Sequence, residues 1–312
     1  MISRRLLRIK AVKALYAHLK SESDSLMASE KTLVASIDKT YDLYVQMFSL
    51  IVEVARYAEQ RQEIAKQKKM PTFEDLNPNR KFVDNAVIRL IENGDAVNDY
   101  TESHKLSWSN YPELIKTLFT QLEQSEYYQK YMSSEERSFK EDLALVTEFY
   151  TRELEESEML EEVLDEQSIL WNDDLGFALT LVVRTLSNLR ASHTDVKLLP
   201  KFKSEEDLEF VKELFAKAAV NYNANVELIE KFTRNWDVER IAFMDIVIMA
   251  TAIAELTSFS SIPVKVTLDE YIEIAKYYST ASSGTFINGV LDKVVSTLNQ
   301  EGKIVKSGRG LI

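Results

Sequence analysis

Seven glycines and five prolines are all that punctuate 312 residues, and that scarcity constrains the fold more than any other feature of the chain. Turn-rich β folds consume both residue types, Gly where φ must be positive and Pro where a turn must be stiff. A chain so poor in them is expected to run in helices joined by short connections. Leu, Glu, Lys and Ala, all favourable in helices, are abundant throughout. Hydrophobic residues make up 45% of the chain, enough to bury a proper core. The expected fold class is all-α.

Several function classes drop out on composition. The chain has no cysteine, which removes disulfides, thiolate zinc sites and cysteine nucleophiles, and suits a reducing cytoplasm. His18, His104 and His193 stand far apart and form no metal-ligand pair, so no metal and no cofactor is expected. There is no G-x-S-x-G, P-loop, G-x-G-x-x-G, H-E-x-x-H or EF-hand loop. The expectation is a protein that is not an enzyme. The most apolar stretch, Ile241 to Leu256, carries Asp245 and Glu255 and reads as a buried core helix, not a membrane span. No apolar run follows the N-terminal basic residues as a signal peptide requires, so a cytoplasmic location is expected.

The net charge of −12 argues against nucleic acid, but it hides an asymmetry. Residues 1–20 hold Arg4, Arg5, Arg8, Lys10, Lys13 and Lys20 and no acid, whereas residues 151–174 set ten acids against Arg152 alone. Screening limits the reach of charge to about 8 Å at physiological salt, so binding answers to the local field.

Helical periodicity places a first helix from Ser3 or Arg4 to Lys20 and a long one over about 30–68. Met70 to Arg80 reads as a loop between Pro71 and Pro78, Asn93-Gly94-Asp95 as a break, and Ser192 to Lys203 as the clearest linker. Ser204 and Asp237 are expected helix caps, and Thr267 with Glu270 forms a capping-box pattern. The tail, Gly302 to Ile312, is Gly-rich and basic, suited either to RNA contact or to flexible solubility.

Ile262-Pro-Val-Lys-Val-Thr-Leu-Asp-Glu-Tyr-Ile-Glu-Ile-Ala-Lys276, followed ten residues later by Phe286-Ile-Asn-Gly-Val-Leu-Asp-Lys293, resembles the C-terminal signature of NusB proteins. Trp236, Val238 to Ile241 and Ala252 to Leu256 match the preceding family helix. Arg4, Arg5 and Arg8 with Ala11, Ala14, Leu15 and Tyr16 match the opening arginine-rich helix. The resemblance covers about 2–20 and 205–300. It implies a NusB-like helical bundle carrying a large helical insertion: residues 1–20 as first helix, 21–204 as inserted region, 205–312 as remainder and basic tail. It also implies a transcription antitermination factor that binds boxA-type RNA together with NusE, a small-subunit ribosomal protein, in a complex on RNA polymerase during rRNA synthesis. Where the family often has an acid, Ser282 to Thr285 has none, and Ile246 and Ala250 stand where it tends to have arginine.

The resemblance implies RNA contacts at Arg4, Arg5 and Arg8, whose forks suit phosphate and unpaired bases, with Lys10 and Lys13 adding to them. Tyr278 and Phe286 are read either as base-stacking rings or as core. Asn288 is an RNA-contact candidate, against a packing role for the Asn288-Gly289 pair in which Gly289 lets helices approach closely. Glu239 and Asp245 stand where the family meets its basic protein partner. The competing class is a protein-only adaptor that docks partners through the acidic insertion.

Overall fold

The computed structural model describes residues 1–21, 25–233 and 241–311. As expected, the chain is all-α: fifteen α-helices and no strand occur among the described residues. Asp237 and Glu239, expected as a cap and a partner contact, lie outside them.

The chain divides into two compact units, residues 38–201 (with Met1) and residues 2–37 with 202–312. Helix α2 (Leu26–Lys66) contributes residues to both. No helix among the described residues is long and apolar enough to cross a membrane.

Within residues 38–201, α2 is buried almost all the way round from Asp42 to Ala55, and Leu43, Tyr44, Met47, Phe48, Ile51 and Val54 are fully buried. Around it stand α4 (Ala86–Asn93), α5 (Asp95–Ser103), α6 (Pro112–Gln124), α7 (Glu126–Ser133), α8 (Phe139–Arg152), α9 (Glu158–Gln167) and α10 (Leu175–Leu186). Their starts follow local chemistry. Asn85 accepts from the backbone N–H of Val87 and Ile88, Ser125 and Ser138 cap in the same way, and Pro112 opens α6 where no N–H is needed. Polar tips of large rings then fix the shell to α2: Tyr150 donates to the Met47 carbonyl at 2.7 Å and Trp171 to that of Lys39 at 2.6 Å. The expected break at Asn93-Gly94-Asp95 is real. A Cβ on Gly94 would stand 2.1 Å from an Asp195 carboxylate oxygen, and that carboxylate also accepts from the Ala96 N–H. The expected loop after α2 holds one further turn, α3 (Phe73–Leu76), capped by a Thr72–Asp75 box. The Ser192–Lys203 stretch has no helix, and Leu199 is held on both sides by the Tyr41 and Tyr44 hydroxyls.

Lys81 is the polar hub of this unit. Its ammonium is buried, donating to the carbonyls of Tyr131 and Ser134 and pairing with Glu141 at 2.8 Å. Lys81→Met should therefore strand two carbonyls and a carboxylate. The expected cost is about 1–3 kcal/mol in a urea titration; an unchanged midpoint would show that water replaces the ammonium at no cost.

The other unit comprises α1 (Arg4–Lys20), the first turns of α2, α11 (Glu205–Val220), α12 (Tyr222–Thr233), α13 (Phe243–Ser258), α14 (Val264–Tyr278) and α15 (Ser283–Gln300). Helix α13 is central: every residue from Val247 to Leu256 is buried, and it packs against α1, α11, α12, α14 and α15. Two expected caps are corrected. Ser204 sits at the N-cap of α11, but its hydroxyl makes no capping bond. Helix α14 starts at Val264 after Pro263, so Thr267 lies inside it, its hydroxyl spent on buried Glu255 instead of on a cap.

Candidate nucleic-acid interface

Helix α1 begins at Ser3, whose hydroxyl accepts from the Leu6 N–H, and it places Arg4 and Arg8 one turn apart. A cationic first turn opposes the helix dipole, so the arginines look unaccounted for by stability. The structure corrects that reading. Three acids from three other helices meet them. Arg4 Nε donates to Asp207 of α11 at 3.0 Å. Arg5 binds Glu270 of α14 through two bonds of 2.8 and 3.0 Å. Arg8 binds Glu255 of α13 through two more, at 2.8 and 2.9 Å. The Phe210 ring lies under both Arg4 and Arg8, 5.0 and 5.5 Å from their guanidinium carbons.

The three arginines differ in what they leave free. The Arg8 side chain is 4% exposed, against 43% for Arg4 and 47% for Arg5. Glu255 takes four donors, adding Thr267 at 2.9 Å and Tyr271 at 3.2 Å to the two from Arg8. Burial, with the Glu255 carboxylate beside it, pushes the Tyr271 phenol well above its ordinary pKa, so it remains a donor. This closed network holds the base of α1 while the Arg4 and Arg5 heads stay accessible. Arg8, expected at the RNA surface, is buried within it, and Lys10 is buried as well.

Lys13 adds a cation on the side of α1 where Arg5 meets α14, its ammonium 5.1 Å from the centre of the Tyr278 ring. Tyr278 ends α14, and the polar segment from Ser279 leads into α15. Tyr278 and Phe286 are both half-buried, between the two readings offered for them. Tyr277, which the sequence reading passed over, is 79% exposed. Asn288 is exposed on α15, and so is Gly289, whose missing Cβ would meet nothing within 4 Å. Close helix packing therefore does not account for Gly289.

Asp245, expected to meet a protein partner, is buried in the first turn of α13. One of its oxygens accepts from the Ser283 hydroxyl at 2.9 Å. The basic tail is docked and not free: Lys306 donates to the Phe259 carbonyl at 2.9 Å and the Ser307 N–H to that of Ser260 at 3.0 Å. A Cβ on Gly310 would stand 2.1 Å from the Ser260 oxygen, so that position must be glycine. Burial holds the Lys306 pKa below its usual value.

Residues 38–201 contain 31 acids and 19 bases, and the rest of the chain 19 of each. All of the −12 therefore lies in the unit without the arginine helix. No cluster of His, Asp or Glu suited to a metal occurs among the described residues.

The NusB family model matches residues 179–296, from within α10 to near the end of α15. A transcription antitermination protein NusB from Salinibacter ruber is 41% identical over 123 residues, covering 39% of this chain and 76% of that protein. The chain belongs to the NusB family. NusB proteins of Chloroherpeton thalassium and Natranaerobius thermophilus are 44% and 35% identical over 84 and 92 residues. These matches span 40% and 66% of the two proteins' lengths, and 27% and 30% of this chain. A solved structure of T. maritima NusB aligns with 44% of this chain and 85% of its own, at 26% identity and a TM-score of 0.29, too low to bear on the fold. These relatives are named for transcription antitermination, the role that the resemblance implies.

Proposed function

We propose that this protein is an RNA-binding transcription antitermination factor that takes boxA-type RNA jointly with NusE. The observation that carries the reading is the Lys13–Tyr278 contact, which joins the basic face of α1 to the aromatic end of α14 within one compact, charge-balanced unit. On this reading Arg4 and Lys13 supply cationic contacts to phosphate, and Arg5, its charge met by Glu270, offers its guanidinium plane. Tyr278, Phe286 and Asn288 offer rings and an amide to unpaired bases. Arg8, bonded to buried Glu255, positions the helix, and Lys10 is likewise buried. Glu239 is kept as the acid offered to NusE, and Asp245 acts indirectly, by tying α13 to α15 through Ser283. Residues 21–204 are read as a region inserted between the two parts that carry the family motifs, and a place in the antitermination complex on RNA polymerase follows from the same reading.

Filter binding with boxA-type RNA, this protein and purified NusE tests it. The pair should bind more tightly than either protein alone; no gain over the separate proteins sinks the proposal. Arg4→Ala with Lys13→Ala should weaken binding and make it less salt-dependent. The log–log slope should fall by about 0.7 for each lost contact to a single-stranded phosphate.

A further inference from the structure

Tyr277 has no place in the family motif or in the packing. It is a large ring at 79% exposure, on the last turn of α14 and next to the half-buried Tyr278. Glu270, Glu273 and Tyr277 recur at helical spacing and share one face of α14. Both acids on that face are already neutralised, Glu270 by the two bonds from Arg5 and Glu273 by an ion pair with Lys276. Its two bonds to Glu270 bring the Arg5 guanidinium to that same face.

That arrangement selects a base over a phosphate. Paired charges leave little net field to draw an anion, and two carboxylates stand close by. What remains exposed is the Tyr277 ring and the half-exposed guanidinium of Arg5, its plane fixed by the two-bond contact with Glu270. Rings and guanidinium planes are the surfaces on which splayed, single-stranded bases stack. Tyr278, by contrast, already carries the Lys13 ammonium over its ring.

We propose that Tyr277 and the Glu270-pinned guanidinium of Arg5 form a stacking platform for one unpaired base of single-stranded RNA. The proposal rests on the RNA-binding reading above and adds one base to its footprint.

Fluorescence anisotropy with a labelled single-stranded boxA-type RNA, in the presence of NusE and at several salt concentrations, tests it. Tyr277→Ala should bind about 5- to 150-fold more weakly with an unchanged salt slope, the loss of one stacked base. Tyr277→Phe should bind like the parent, because stacking needs the ring and not the hydroxyl. An abasic site moved along the RNA should find one position that weakens the parent protein but adds nothing to Tyr277→Ala. Parent-like affinity of Tyr277→Ala, or an equal loss in Tyr277→Phe, overturns the platform and leaves the RNA-binding reading standing. No RNA binding by the parent protein overturns both.

Discussion

Glu255→Ala is expected to lower the stability of this protein by about 3–5 kcal/mol, the usual cost of removing one partner from a buried ion pair. The carboxylate is fully buried and serves Arg8, Thr267 and Tyr271 at once. Without it, the Arg8 guanidinium remains out of water with its nearest remaining acid contact at 3.9 Å, to Glu270. Two hydroxyls lose their acceptor as well. Urea denaturation followed by far-UV circular dichroism reads the loss. Arg8→Met added to Glu255→Ala should recover much of it, because the uncompensated charge goes with the arginine. A single-variant loss below about 1 kcal/mol would mean that water reaches Arg8 and that the network does not hold α1 in place.

That pair joins residues that no local sequence pattern connects. The arginine helix was legible because its residues lie within one turn of each other, and so was the α14–α15 motif, whose periodicity and spacing are local. The acids that neutralise the arginines lie 203 to 265 residues further along the chain. No local pattern ties Asp207 to Arg4, so nothing in the sequence pairs the three arginines with acids. The same limit applied at the other end of the site. Tyr277 and Tyr278 are adjacent in sequence, and which one faces water depends on about 100° of helix rotation. Packing of α14 on α13 and α15 sets that rotation, and the pattern of α14 alone does not. Thr267 misled for a related reason: its spacing to Glu270 imitates a capping box, while a buried carboxylate from α13 claims its hydroxyl. Gly289 failed in the opposite sense. A mid-helix glycine usually implies a close neighbour, and here there is none, so its cost of about 1 kcal/mol against alanine is not recovered by packing.

Phe48→Ala is expected to have an effect of similar size in the other unit, about 3–5 kcal/mol, from lost burial and the cavity left behind. Phe48 is fully buried on α2, edge-on to Tyr44 with ring centres 5.6 Å apart. Tyr44 in turn bonds Thr185 of α10 and the Leu199 N–H, so loosening Phe48 loosens the polar contacts that pin the shell to α2. Hydrogen exchange read by mass spectrometry localises the damage. Amides of α4, α8 and α10 should exchange faster, while those of α1 and α14 keep their protection. The reason is that each unit has its own buried core, α2 residues such as Phe48 in one and α13 in the other. Faster exchange in α1 and α14 as well would show that α2, whose Leu33 and Ile37 are buried in the other unit's part of the chain, transmits the defect along its length. The two units would then unfold as one, and a lesion in the acidic unit would reach the arginine helix through the stability of α2.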